Sequence, residues 1–223
     1  MTQTVLVKAL ISYLLVAMTS WVPMKNQTDE SAEDAATRYT AIATDIVEAV
    51  TDPSEPPLWK GSDGQVKTAL LVAGIASLEG GYQKFVDDGT CNKKEYKADR
   101  RGSCDGKHAY TIWQIHTMGG LIFDGEGVTS IAYAPEKLKT DPDSVWTGPK
   151  LVADRKAAAR MALHLMRVSY KRYGSLCQYT GEKYQDTDKC MEKTPKADFR
   201  QSRALDYLKK NPFVTPEEPV SSN

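Results

Sequence analysis

A chain of 223 residues has room for one large domain or two small ones. Lysine plus arginine equals aspartate plus glutamate at 29 each, and a formal net charge of zero argues against a nucleic-acid partner, which a basic face would announce. The composition is that of an ordinary globular protein, without low-complexity tracts or internal repeats.

Residues 1–30 read as an N-terminal apolar segment followed by a polar linker. Val5 to Trp21 carries the apolar residues, with Lys8 inside the run. Three readings stay open: a secretory signal without a clean cleavage site, a membrane anchor, or a helix packed on the domain or on a partner. Lys25 to Ala36 reads as the linker, and residues 31–212 as the main domain. From Thr37 to Val50, Tyr39, Ile42, Ile46, Val47 and Val50 recur at helical spacing along one face. The prolines of Asp52 to Pro57 break that helix.

The next helix is apolar on nearly every side, so it belongs in the core rather than on the surface. Ser62 and Gln65 have the spacing of a capping box at its start, and Gly80-Gly81 ends it. Glu79 sits where this buried helix emerges. A carboxyl group there is partly desolvated, which favours holding a proton near neutral pH. The alternative is a solvated glutamate on a last turn.

Cys91/Cys104 and Cys177/Cys190 are each 13 positions apart. Even number and local spacing suggest two disulfides closing two loops and an oxidising compartment, against four buried thiols in a cytosolic protein, and sequence alone does not fix the connectivity. No Cys-x-x-Cys occurs, and His108, His116 and His164 lack metal-ligand spacing, so neither metal nor cofactor is expected. Tyr82 to Lys107 reads as a loop region and Ala109 to His116 as a short strand or tight extended segment. Met118 to Pro149 is punctuated by glycine and proline, giving irregular chain with one short helix at most. Asp154 to Lys171 is a strong helix stopped by Gly174. Thr194-Pro195 opens a last helix through Lys210 that turns Phe199, Leu205 and Leu208 inward. Residues 213–223 form a loose tail. The sum is a mainly helical domain with one loop-rich face.

Three short motifs stand in order along this chain: Ser77-Leu78-Glu79-Gly80-Gly81-Tyr82, then Ile112-Trp113-Gln114-Ile115, then Cys177-Gln178-Tyr179-Thr180-Gly181. Together they resemble the soluble lytic transglycosylase and goose-type lysozyme group, in which a glutamate ends a buried helix and glutamine and tyrosine motifs follow. The resemblance covers about Asp63 to Gly181. It departs from the family at Gly80, where serine is usual, and at Thr180, where asparagine is usual. Thirty-five positions separate Glu79 from Gln114, a longer span than the family's, and the extra length holds Cys91 and Cys104.

The resemblance implies a mainly α, lysozyme-like α+β fold and a peptidoglycan-cleaving enzyme. Glu79 would be its catalytic acid and base, breaking the β-1,4 bond and leaving 1,6-anhydro ends. Gln114 would contact the sugar, and the Tyr179 hydroxyl would support Glu79 or the N-acetyl group. For both, the alternative is a buried polar side chain satisfying the backbone. Tyr82, Tyr110 and Trp113 are candidates to stack on sugar faces, with core packing the alternative for Trp113. Asp87, Asp88 and Asp105 are the candidate second carboxylates for a hydrolase, although Asp-Gly turns account for the last two. The implied partner is the glycan strand, with membrane contact by the N-terminal segment or membership of a phage or secretion assembly also open. The implied location is periplasmic, extracellular or within a virion. Competing with transglycosylation are a hydrolytic muramidase on the same fold and a non-catalytic wall-binding subunit.

Overall fold

The structure, a computed structural model, describes residues 3–27, 29–94, 96, 104–123, 127–177, 179 and 195–215. Five long helices carry it: α1 (Gln3–Trp21), α2 (Ala32–Val50), α3 (Gly64–Glu79), α4 (Arg155–Tyr173) and α5 (Pro195–Lys210). The strands β1 (Ala109–Tyr110) and β2 (Ile115–His116) pair antiparallel, as do β3 (Leu121–Phe123) and β4 (Val128–Ser130).

Helix α3 is the axis of the fold. From Thr68 through Ser77 every residue is buried, because α1, α2 and α5 all pack against it. That all-round burial matches its uniformly apolar sequence. The capping-box expectation does not hold, since Asp63 is the N-cap and makes no side-chain cap bond.

Helix α2 buries the expected face of Tyr39, Ile42, Ile46, Val47 and Val50. It begins five residues earlier than its apolar periodicity suggests. Ser31 caps it by accepting the Asp34 amide, with Glu33 and Asp34 in the positively polarised first turn. Part of the expected linker is therefore helix.

Helix α1 packs on α2 and α3, and Leu10, Leu14, Ala17 and Met18 are fully buried in the core they share. Its Thr4–Trp21 span is also long and apolar enough to cross a membrane by composition. Tyr13 and Trp21 place their rings edge-on against Tyr207 of α5 at 5.7 and 5.5 Å. The first and last helices are thereby joined.

Helix α4 follows its sequence signals. Asp154 accepts the Ala157 amide at 2.8 Å, and Gly174 closes the helix at φ +68°. On α5 only part of the expected inner face holds: Ala204 is fully buried, Leu205 and Leu208 are half-buried, and Phe199 is 55% exposed. Its expected Thr194 cap lies outside the described residues.

The short strand or tight extended segment expected from Ala109 to His116 is instead a tight hairpin of two paired strands, with Ala109 opposite His116 and Tyr110 opposite Ile115. Thr111 and Gln114 turn the chain at φ +63° and +49°. The region from Met118 to Pro149 is more ordered than its glycines and prolines suggest. It holds the β3–β4 pair and the short helices Lys137–Thr140 and Gly148–Ala153.

Candidate functional site

Glu79 is the last residue of α3 and opens onto a cleft of about 900 Å³. Tyr110, Trp113, Gln114 and Tyr179 line the same cleft, with Asp105, His108 and His116 on its hairpin wall. Leu165 and Val168 of α4 form the apolar wall. Five of the six side chains expected at the site therefore meet.

Tyr82 does not. It is fully buried, its hydroxyl donates to the Ala73 carbonyl at 2.8 Å, and its ring packs edge-on against Tyr39 at 5.2 Å. This ring is part of the core and offers no face to a sugar. Trp113 lies beneath the cleft with no exposed surface, and its indole N–H donates to the Val72 carbonyl at 2.9 Å.

The corner between Glu79 and the hairpin is set by glycine. Gly80 passes so close to Ile112 that a Cβ there would lie 2.7 Å from its carbonyl oxygen and 2.8 Å from its Cα. No serine fits that space, which explains why glycine stands at this motif position. Gly81 then reverses the chain at φ +57°.

The hairpin wall concentrates unusual backbone. Cys104, Asp105, Lys107, Thr111, Gln114 and Met118 all have positive φ, a region costly for residues with a Cβ. Thr111 is the extreme case: it is β-branched, buried, and its hydroxyl has no hydrogen-bond partner among the described residues. Such strain persists only where the surroundings fix it. Here the Cys91–Cys104 disulfide, with Cα atoms 5.6 Å apart, anchors the start of the segment. Asn92 donates to the Ala109 carbonyl at 2.8 Å and ties the two segments again. The Gln114 amide donates to the Thr111 carbonyl at 3.1 Å and lies 3.6 Å from Cys104 Sγ, so the expected sugar-contacting side chain also braces the turn.

Tyr179 donates its hydroxyl to the Trp113 carbonyl at 2.9 Å rather than to Glu79, which corrects the first of its two expected roles. Burial, reinforced by the nearby Glu79 charge, pushes that hydroxyl well above the usual tyrosine range. The group therefore remains a neutral donor beside the carboxylate.

Glu79 is not a bare carboxyl group in an apolar wall, as its position on α3 suggests. Arg200 of α5 donates to Oε1 from both Nε, at 2.7 Å, and Nη2. The neighbouring Arg203 donates to Ser77 Oγ at 2.8 Å. Nothing in the sequence signals this pairing, because 121 positions separate the partners.

Of the candidate second carboxylates, Asp87 is buried and engaged by Arg155 at 2.9 and 2.7 Å, away from the cleft. Asp88 closes a turn by accepting the Thr90 amide at 2.9 Å. Only Asp105 faces the cleft, 3.2 Å from His116. Cys177 is buried and not free, and its expected partner Cys190 lies outside the described residues, as do Gln178, Thr180 and Gly181. Among the described residues no group of three His, Cys, Asp or Glu side chains is placed to hold a metal ion.

Comparisons with protein-family models, curated proteins and solved structures find no match for this chain.

Proposed function

We propose that this chain is a lysozyme-like enzyme that cleaves peptidoglycan glycan strands, acting as a lytic transglycosylase with Glu79 as its acid and base. One observation carries the reading. Glu79, Gln114 and Tyr179 come from three separate stretches of sequence and meet at one cleft. A cleft of about 900 Å³ with an apolar wall and a polar hairpin suits a sugar ring, which has C–H faces and hydroxyl edges.

In this mechanism protonated Glu79 gives its proton to the glycosidic oxygen, and the C1–O bond breaks with its electron pair on that oxygen. The 6-hydroxyl of the muramyl residue then attacks C1, and its proton returns to Glu79. No water is consumed and the carboxyl is restored. Gln114 would hold the sugar edge, and Tyr110 would bear on a ring face.

A hydrolytic second reading is favoured by one feature, the position of Asp105 on the same cleft beside His116. A carboxylate there is a candidate to activate water. The Cys91–Cys104 disulfide supports a site of action outside the cytoplasm or in a virion. Mass spectrometry of fragments released from purified peptidoglycan separates the two chemistries. Anhydro ends, one water lighter than reducing ends, are expected. Reducing ends that disappear in D105N establish the hydrolytic reading instead, and no release at all refutes both.

A further inference from the structure

We infer that Arg200 is the positioning residue of this site: it grips one oxygen of Glu79 from α5 so that the other does the proton transfer. The inference rests on the reading of Glu79 as the acid and base.

The geometry is asymmetric. Both guanidinium contacts fall on Oε1, and Oε2 has no partner among the described residues. Glu79 lines the cleft, whereas Arg200 stands outside its walls. A guanidinium presents its N–H groups in a rigid planar fork. Two of them converging on one oxygen pin that oxygen in place and leave the other turned away from the guanidinium. The free oxygen, Oε2, is then the one presented to substrate. As Oε2 gives up its proton, negative charge grows on the carboxylate, and Arg200 is already placed to stabilise it without reorganising.

The grip is itself held. Arg200 is half-buried, and α5 is seated on α3 by packing that includes the fully buried Ala204, one turn along the same face. Among the described residues the other charged or titratable groups lining the cleft with Glu79 are Tyr179, a neutral donor committed to the Trp113 carbonyl, and Asp105, His108 and His116 across the cleft. Among the described residues Arg200 is the only cation on the Glu79 carboxylate.

Loss of orientation acts on turnover rather than on binding, because the sugar contacts belong to the hairpin wall. A displacement of about 1 Å in a catalytic group costs on the order of 100-fold. R200Q, which keeps a polar stem but loses the charge and the fork, is expected to lower kcat about 10–100-fold with KM within about threefold of the parent. R200K, with the charge but a single-point contact, is expected to fall about 3–10-fold in kcat at unchanged KM. R203Q cuts the neighbouring tie between the same helices and serves as the structural control, with kcat expected within about twofold of the parent. In an E79Q background R200Q should cost no more than about twofold further, since its effect passes through Glu79.

Parental kcat in R200Q, or an equal loss from R200Q with and without E79Q, overturns the positioning role. If R200Q does not fold, R200K decides alone: reduced kcat at parental melting temperature supports the role, and parental kcat overturns it. E79Q with parental activity would overturn the functional reading as well. An inactive E79Q beside a fully active R200Q overturns only this inference.

Discussion

Glu55 is the most informative place to perturb the frame behind the cleft. It is 3% exposed, sits in the proline-rich turn after α2, and accepts hydrogen bonds from Arg160, His164 and Arg167. Those three residues lie at successive turns along one face of α4, so a single carboxylate fastens the 52–57 turn to the helix that gives the cleft Leu165 and Val168. Burial raises the pKa of the Glu55 carboxyl, but hydrogen bonds from Arg167, His164 and Arg160 together with the His164 charge outweigh it and leave it lowered. E55Q keeps the shape and removes the charge, leaving the largely buried Arg167 guanidinium without its counter-ion. Breaking one side of a buried pair costs about 3–5 kcal/mol. The Arg160 side chain is 37% exposed and adds little, so the lower end, about 3 kcal/mol, applies. For a chain of this size that is about 6–12 °C in melting temperature.

The pH dependence has a definite sign. A carboxyl group whose folded pKa is lowered contributes stability above its ordinary value of 4.5, and that contribution is lost as pH falls below it. Thermal unfolding followed by circular dichroism should therefore show a gap between parent and E55Q that is full at pH 7 and shrinks below pH ~4.5. A gap under about 1 kcal/mol at pH 7, or one undiminished in acid, refutes the clamp.

Three further predictions follow from the packing. L14A in α1 removes a fully buried side chain and should destabilise the fold by about 2–5 kcal/mol in a denaturant titration, whereas a peripheral segment would tolerate it. The double variant C91S/C104S opens a 13-residue loop and should cost about 3 kcal/mol, with faster hydrogen exchange confined chiefly to 104–118; no change in exchange there would contradict its role in holding the hairpin. T111G relieves positive φ and removes an unpartnered buried hydroxyl, so it should be neutral or stabilising by about 1 kcal/mol despite the lost side-chain burial; a loss above about 1 kcal/mol means the strain is not there.

The helices were legible where periodicity and caps agree. Asp154 and Gly174 mark α4 to within a residue or two, and the all-apolar run of α3 placed Glu79 at its end. The start of α2 was not legible, because its first turn is polar and only the Ser31 cap announces it. The hairpin was hidden for a different reason. Thr111 favours strand by residue type, and its positive φ is imposed by the surrounding turn, not by its own preference. Cleft membership of Gln114 and Tyr179 could be read from motif order and that of Tyr110 only from its aromatic ring, while Tyr82 could not be excluded, since sequence does not say which way a ring turns after a helix end. Arg200 was beyond reach, as an ion pair between α3 and α5 exists only once the chain is folded.

The central claim is that Glu79 cleaves a glycan strand, and release of soluble fragments from purified peptidoglycan by the parent and by E79Q tests it most directly. General acid–base catalysis contributes about 10²–10⁴-fold, so E79Q should release fragments at least ~100-fold more slowly while melting within a few degrees of the parent. Release by E79Q at the parental rate, or no release by a folded parent, would contradict the account.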